Sequence, residues 1–405
     1  MAVPQATTVS ASEQLNSHLD SCRAALAARG YTPSSIGHHL DRTVHLGHWL
    51  DERSLDLGGF TSERVEEYFE SRRQEGHKEW LTTRGFGTVL AHLRDLGLVP
   101  NPEPVLPASP VEELLASYHT YLLSERGLEV RTTAGYLRVA REFLDRQAAL
   151  GRPGPHDLST ADVTGFVVRE VAEGRNLKAK NMVPALRSWL RFLYLEGHTA
   201  VDLKAAVPAV AGQRWAALPL GIEPDEVAKL LATCDRTQAV GRRDYAVLML
   251  LSRLGLRTAE VARLELTDIN WPSGDLVVHG KGDRDERLPL PVDVGEALVD
   301  YMHFGRPNSI ASPAVFMQAK APPGRLTRTD VTDVVGRAWI RAGLPRRNSR
   351  RLRHGVATEM LRRGAGLGEV GQVLRHRSPM TTSLYAKVDQ NALTVLARPW
   401  PEVWP

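Results

Sequence analysis

Four short stretches in the C-terminal half of the chain hold side chains of the kinds that handle phosphate. Residues 349–354, SRRLRH, place Arg350, Arg351, Arg353 and His354 at the head of a helix-like run, GVATEMLRRG. Arginine stays charged and presents a planar fork of donors, so one buried arginine here would clamp an oxyanion. Val356, Met360 and Leu361 behind it repeat at a core-facing spacing. Arg257, in LSRLGLRTAEVARLELTDINW, follows Gly255-Leu256 and opens another helical run. Glu260 lies three residues on, shares its helix face and can orient it; taken alone, the pair reads equally as a surface ion pair of little worth. Lys281, in HGKGDRDERLPL, sits between glycines at a hairpin tip. From there it could reach a bound ligand, although an isolated GKG reads better as a solvated turn. In VLRHRSPMTTSLYAKV, His376 precedes the helix-start pair Ser378-Pro379, and Tyr385 follows nine residues after it. A tyrosine hydroxyl titrates near 10 and would need cations and a proton acceptor to act as a nucleophile. Its commoner use is to pack in a core with the hydroxyl at the surface.

The charge distribution adds a second line. The net charge of the 405 residues is only +4, but residues 320–378 hold fourteen lysines and arginines against four acids. Concentrated arginine of this kind is the footprint of a polyanion partner, whereas a solubilising surface would spread both signs. Apolar residues make up 42% and charged residues 24%, a globular composition. There is no apolar run of eighteen residues, and residues 1–14 lack the layout of a secretion signal. The two cysteines, Cys22 and Cys234, form neither a disulfide framework nor a metal-ligand spacing. A reducing cytoplasm is the expected setting, with no membrane role.

These groups need a scaffold, and the chain divides into three pieces. The proline cluster VPNPEPVLPASP at 99–110 reads as a linker, and AVPAVAGQRWAALPLGIEP at 206–224 as a softer break. The expected domains are 1–105, 106–212 and 213–405. Three blocks of the first piece recur in the second in the same order: ARGYTPSSIGHHL against ERGLEVRTTAGYL, FTSERVEEYF against LSTADVTGFV, and VLAHLRDLG against WLRFLYLEG. They predict two helical bundles of four or five helices each, built as a duplicated unit. The third piece starts with helices, EPDEVAKLLATC and DYAVLMLLSRLG. One strand pair follows, GDLVVHG and ERLPLPV, and then more helix. The expected fold is mostly α with a small antiparallel sheet, ending in an α+β domain.

Together, GLRTAEV, GKGDRDERLPL, LRHGVAT and the H…TTSLY segment resemble the tyrosine recombinase (phage integrase) family. The resemblance covers residues 213–390 and extends to 106–205, which looks like the family's SAM-like core-binding bundle. It implies that Arg257 and Arg353 clamp the scissile phosphate. Tyr385 would attack phosphorus to give a 3′-phosphotyrosyl intermediate, and Lys281 would protonate the departing 5′-oxygen. His376 would hydrogen-bond the phosphate, Glu260 would buttress the frame, and His354 would support it. No metal, ATP or other cofactor would be needed. The implied partner is double-stranded DNA bearing inverted-repeat-type sites, bound in the nucleoid by a homo- or hetero-tetramer with or without partner recombinases. A mobile element is the favoured context, with residues 1–105 as an extra DNA-binding or protein-interaction domain and the C-terminal tail as a docking segment.

One position departs from the family pattern. His-x-x-Arg would place histidine at 350, where this chain has Arg350. A guanidinium cannot accept a proton, so Arg350 is expected to contact phosphate while the tyrosine proton leaves through His376, His354 or water. The rival reading is a catalytically weak accessory recombinase that acts mainly as a DNA-binding protein.

Overall fold

A computed structural model describes residues 9–77, 83–102, 109–152, 154–173, 176–208, 221–280, 285–307, 312–376 and 378–387. The chain is mostly helical with one three-stranded antiparallel sheet. Its contacts divide into two compact units, one of Met1–Pro102 with Ala217–Pro405 and one of Glu103–Ala216. Within the described residues the apolar cores follow the sequence in separate clusters, over residues 11–99, 115–207 and 222–352, with a small fourth at 357–385.

The described residues of the first segment hold five α-helices, Ala11–Ser17, Leu19–Ala28, Pro33–Glu52, Ser62–Gln74 and Thr83–Asp95, with a 3-10 turn at Leu57–Gly59. The longest begins where Thr32 accepts from the Ser35 N–H and Pro33 supplies a preset backbone angle at the first helical position. Its inner stripe, with Leu46, Trp49 and Leu50, packs on Phe60, Tyr68, Phe69 and Phe86, all buried. The second segment has helices Pro110–Ser124, Val130–Ala149, Thr160–Ala172 and Asn176–Leu195. Ser159 and Asp162 form a reciprocal cap at the third of these. Tyr118, Phe143, Trp189 and Phe192 fill its core. Two of the three recurrent blocks fall on helices of equal length: Pro33–Glu52 and Val130–Ala149 both have 20 residues, and Ser62–Gln74 and Thr160–Ala172 both have 13, whereas the third falls on Thr83–Asp95 with 13 and Asn176–Leu195 with 20.

In the third segment the Ala239–Arg253 helix is buried continuously from Ala246 to Leu251, so that this stretch runs through the core with other elements covering every side. Strands β1 (Ile269–Asn270), β2 (Asp275–His279) and β3 (Asp285–Pro289) form the sheet in that order. Leu276 pairs with Leu288, and Leu276 and Val278 alternate inward along β2. The sequence predicted one strand pair; β1 is the addition, two residues too short to show a period of its own. His279, at the end of β2, is bracketed by Asp268, at 2.8 Å, and Asp285. Hydrogen bonds to Asp268 and then Asp285 hold its pKa above the ordinary histidine value. That clasp closes the base of the β2–β3 hairpin. The tip, with Lys281, lies outside the described residues. No helix among the described residues is long and apolar enough to cross a membrane.

Candidate active site

Three elements distant in sequence supply the phosphate-handling residues: the Thr258–Arg263 helix, the Arg350–Arg362 helix, and the segment running from the Leu367–Val373 helix to the 3-10 turn Ser383–Lys387. Gly255 makes the first junction possible. It sits at φ +59, and a Cβ there would lie 2.8 Å from the Leu374 side chain. The chain therefore turns tightly against residue 374 before presenting Arg257 as the N-cap of its helix. Glu260, in the first turn, accepts the Arg257 backbone N–H at 2.7 Å through one oxygen and the Arg257 guanidinium through the other.

The turn at residues 374–376 gathers the cations. Arg353 donates to the Gly255 carbonyl at 2.6 Å and to the Leu374 carbonyl. Arg257 donates to the Arg375 carbonyl at 3.3 Å. Both arginines thus take their aim from the main chain of one turn. His376 follows directly, its Nδ1 2.8 Å from the Thr382 hydroxyl. Its ring lies parallel to that of Tyr385, with centroids 6.1 Å apart and planes 3° from parallel. Tyr385 is only 2% exposed, and its hydroxyl lies 2.6 Å from His354 Nδ1.

Arg375 was not among the residues singled out in the sequence, yet it is central to this arrangement. It is buried, at 7% exposure, and adopts φ +54, a left-handed conformation uncommon for a residue with a Cβ. Its guanidinium meets Glu260 Oε2 at 2.8 Å and the Val373 carbonyl at 3.0 Å. One buried carboxylate therefore holds Arg375 and Arg257 together.

The electrostatics follow from burial and like charge. Burial, with Arg257 and Arg375 close by, pushes the Arg353 pKa down to about 9. Such a cluster of cations is relieved by an anion. Burial alone would raise the Glu260 pKa, but Arg375 and Arg257 outweigh it and hold the carboxyl below its ordinary range. Burial pushes the Tyr385 hydroxyl up to about 12, with Arg353 opposing. His376 is lowered to about 4 by burial and by Arg353 and Arg257. His354 is lowered by burial, then by Arg353, Arg350 and Arg351. Both imidazoles are therefore neutral at neutral pH.

The structure accordingly brings Arg257, Glu260, Arg353, His354, His376 and Tyr385 into one hydrogen-bonded and electrostatically linked group. Arg350 stands apart: it is exposed at the first position of its helix, and its backbone N–H donates to Asn348 Oδ1 at 2.7 Å. It bears on the group through its charge on His354. The expected docking tail lies mostly beyond residue 387 and outside the described residues.

Comparison with known proteins places this arrangement. The phage integrase family model matches residues 221–392, which span all of these side chains. A Sinorhizobium fredii protein named as an integrase/recombinase (y4rA) is 38% identical over 93% of this chain and 92% of its own length. The tyrosine recombinase XerD of Mycobacterium leprae is 31% identical over 72% of this chain and 95% of its own. In fold, the chain resembles lambda integrase in a tetramer bound to a Holliday junction, with a TM-score of 0.53 at 17% identity over 81% of this chain and 92% of that one. The chain belongs to the phage integrase family of tyrosine recombinases, which cut and rejoin DNA strands.

Proposed function

We propose that this chain is a site-specific recombinase that breaks and rejoins DNA through a 3′-phosphotyrosyl intermediate formed on Tyr385. The observation that carries the reading is the 2.6 Å approach of the Tyr385 hydroxyl to a neutral His354, one residue from the buried guanidinium of Arg353. A scissile phosphate adds an anion to this cluster of cations, and donors of Arg257 and Arg353 hold its non-bridging oxygens as charge grows in the transition state. In the tautomer in which the Thr382 hydroxyl donates to His376 Nδ1, His376 Nε2–H is left to donate to the same phosphate. Tyr385 passes its proton to His354 Nδ1 while its oxygen attacks phosphorus. The bond from phosphorus to the 5′-oxygen breaks, and Lys281 supplies the proton for the departing hydroxyl. The reverse steps, with a 5′-hydroxyl from another strand, rejoin the DNA. Phosphate bond energy is stored in the phosphotyrosine, so no nucleotide or metal takes part.

A mobile-element context is our reading of the biological role. It is supported by similarity along 93% of the chain to a relative named as an integrase/recombinase, which takes in the extra N-terminal segment. DNA with inverted-repeat-type sites, bound by a tetramer, is the corresponding substrate. The test is a nicked suicide substrate from a candidate element end. A covalent adduct mapped by mass spectrometry to Tyr385, in the same yield with and without a chelator, is expected. An adduct on another residue, or none without added metal, would refute the mechanism.

The position of His354 gives a second expectation. His354→Gln should slow strand cleavage by about 10²–10⁴-fold, the usual range for a lost proton acceptor. Arg350→His should retain most of it, because the exposed Arg350 side chain is at most an added phosphate contact and does not take the tyrosine proton. The pKa of His354 is lowered in the folded chain, so it is neutral above the ordinary histidine value and charges only as pH falls through its lowered pKa. Wild-type cleavage should thus decline on acidification below about 6.5, and His354→Gln should flatten that decline. Single-turnover rates against pH read both, and an unchanged profile in the variant would count against His354.

A further inference from the structure

We propose a zinc-class divalent metal site in the N-terminal bundle, made by His45, Glu75 and His77. One ligand atom from each of the three lies within 4.8 Å of the others. His45 Nε2 is 3.4 Å from Glu75 Oε2, and His77 Nε2 is 3.6 Å from the same oxygen. Two donors on a tetrahedral zinc, each roughly 2.0–2.1 Å from the ion, stand about 3.3–3.4 Å apart. Both measured separations suit shared coordination better than a well-formed hydrogen bond.

The surroundings orient each donor. His45 lies on the Pro33–Glu52 helix, and its Nδ1 is 3.4 Å from the Tyr68 hydroxyl. That hydroxyl also lies 3.4 Å from the Arg42 carbonyl, which can only accept. The Tyr68 hydroxyl can donate to the Arg42 carbonyl and accept from His45 Nδ1–H, and in that tautomer the lone pair of Nε2 faces Glu75. A lone pair turned towards a carboxylate is unfavourable unless a cation stands between them. Outer hydrogen bonds that set a ligand tautomer in this way are a regular feature of metal sites.

Glu75 uses its other oxygen to accept from the Ser71 hydroxyl at 3.0 Å, leaving Oε2 towards the histidines. Gly76, at φ +86, reverses the chain so that the His77 N–H returns to the Arg72 carbonyl at 3.1 Å and the His77 ring comes alongside Glu75. Arg72, packed over the Tyr68 ring, opposes a cation here, and the Glu75 carboxylate offsets it. Two imidazoles and a carboxylate match zinc and its neighbours in the transition series rather than magnesium or calcium. The fourth position would be taken by water, since all three side chains are partly exposed. Such an ion would pin the end of the Ser62–Gln74 helix to the middle of the Pro33–Glu52 helix. It lies outside the tyrosine chemistry.

The full-length chain, stripped with a chelator, should bind one Zn²⁺ in competition with a chromogenic indicator and should melt at a higher temperature when zinc is present. Tyr68→Phe should weaken binding about tenfold. The His45→Gln and His77→Gln variants should lose more, at metal-free melting temperatures matching the wild type. His48→Gln, exposed on the same helix, should bind as the wild type does. No stoichiometric zinc and no melting shift in the wild-type chain, or zinc retained by the His45→Gln/His77→Gln double variant, would overturn the proposal.

Discussion

Tyr385→Phe is expected to abolish the covalent protein–DNA adduct on a suicide substrate, a loss on the order of 10⁴-fold or more in cleavage, with DNA affinity retained. The substitution removes one oxygen and little else. The phenyl ring keeps its place among Ala357, Val370 and Leu374 and its parallel contact with His376. The cost to the fold is the His354 Nδ1 left without its tyrosine partner, at most about 1–3 kcal/mol, the range for a fully buried group, because His354 is only partly buried. The melting temperature should therefore fall modestly while the chain stays folded. Arg257 and Arg353 remain to hold phosphate, so binding survives and the missing step is the attack itself. The same assay separates an enzyme from an accessory DNA-binding protein, because the latter would bind equally well and form no adduct even as wild type. Adduct formation by Tyr385→Phe would assign the nucleophile elsewhere.

The candidate site was legible in the sequence to the extent that each residue carried its own local context. Arg257 and Glu260 are three apart at a helix start, and a first-turn carboxylate that accepts the N-cap N–H follows from that spacing. Tyr385 and His376 could be named, but nothing in their nine-residue separation shows that the rings lie parallel or that His354, not His376, meets the hydroxyl. That pairing is set by how the Arg350–Arg362 helix packs beside residues 383–387, a long-range event with no periodic signature. Arg375 was hidden for another reason. In the sequence it is one more cation in a basic window, and only its left-handed backbone turns it inward to Glu260. The His45, Glu75 and His77 group is hidden likewise, since thirty residues and a helix reversal separate its ligands.

The largest effect on stability is expected at Glu260. This carboxylate is 7% exposed and ion-paired with Arg375, which is equally buried, and with the more exposed Arg257. Glu260→Ala removes the acidic side chain that, among the described residues, meets both guanidinium groups, and leaves Arg375 buried with its charge uncompensated. Breaking one side of a buried pair costs about 3–5 kcal/mol. A similar loss should not follow from removing the cation. Arg375→Ala leaves Glu260 still paired with Arg257, and Arg375→Gly in addition relieves the left-handed backbone, which costs a residue with a Cβ roughly 1–2 kcal/mol. Denaturant unfolding should then rank the variants with Arg375→Gly the most stable, Arg375→Ala next and Glu260→Ala last. In the Glu260→Ala/Arg375→Gly double variant, much of the Glu260→Ala loss should be recovered, because the stranded charge is gone. Cleavage should respond differently. Glu260→Ala loosens the hold on Arg257, whose guanidinium rests on the Glu260 carboxylate and on the main-chain carbonyl of residue 375, and Arg375→Gly does not restore that carboxylate. Recovery of stability without recovery of single-turnover cleavage would separate the two roles of Glu260. Additive losses in the double variant would show that no such coupling joins Glu260 and Arg375.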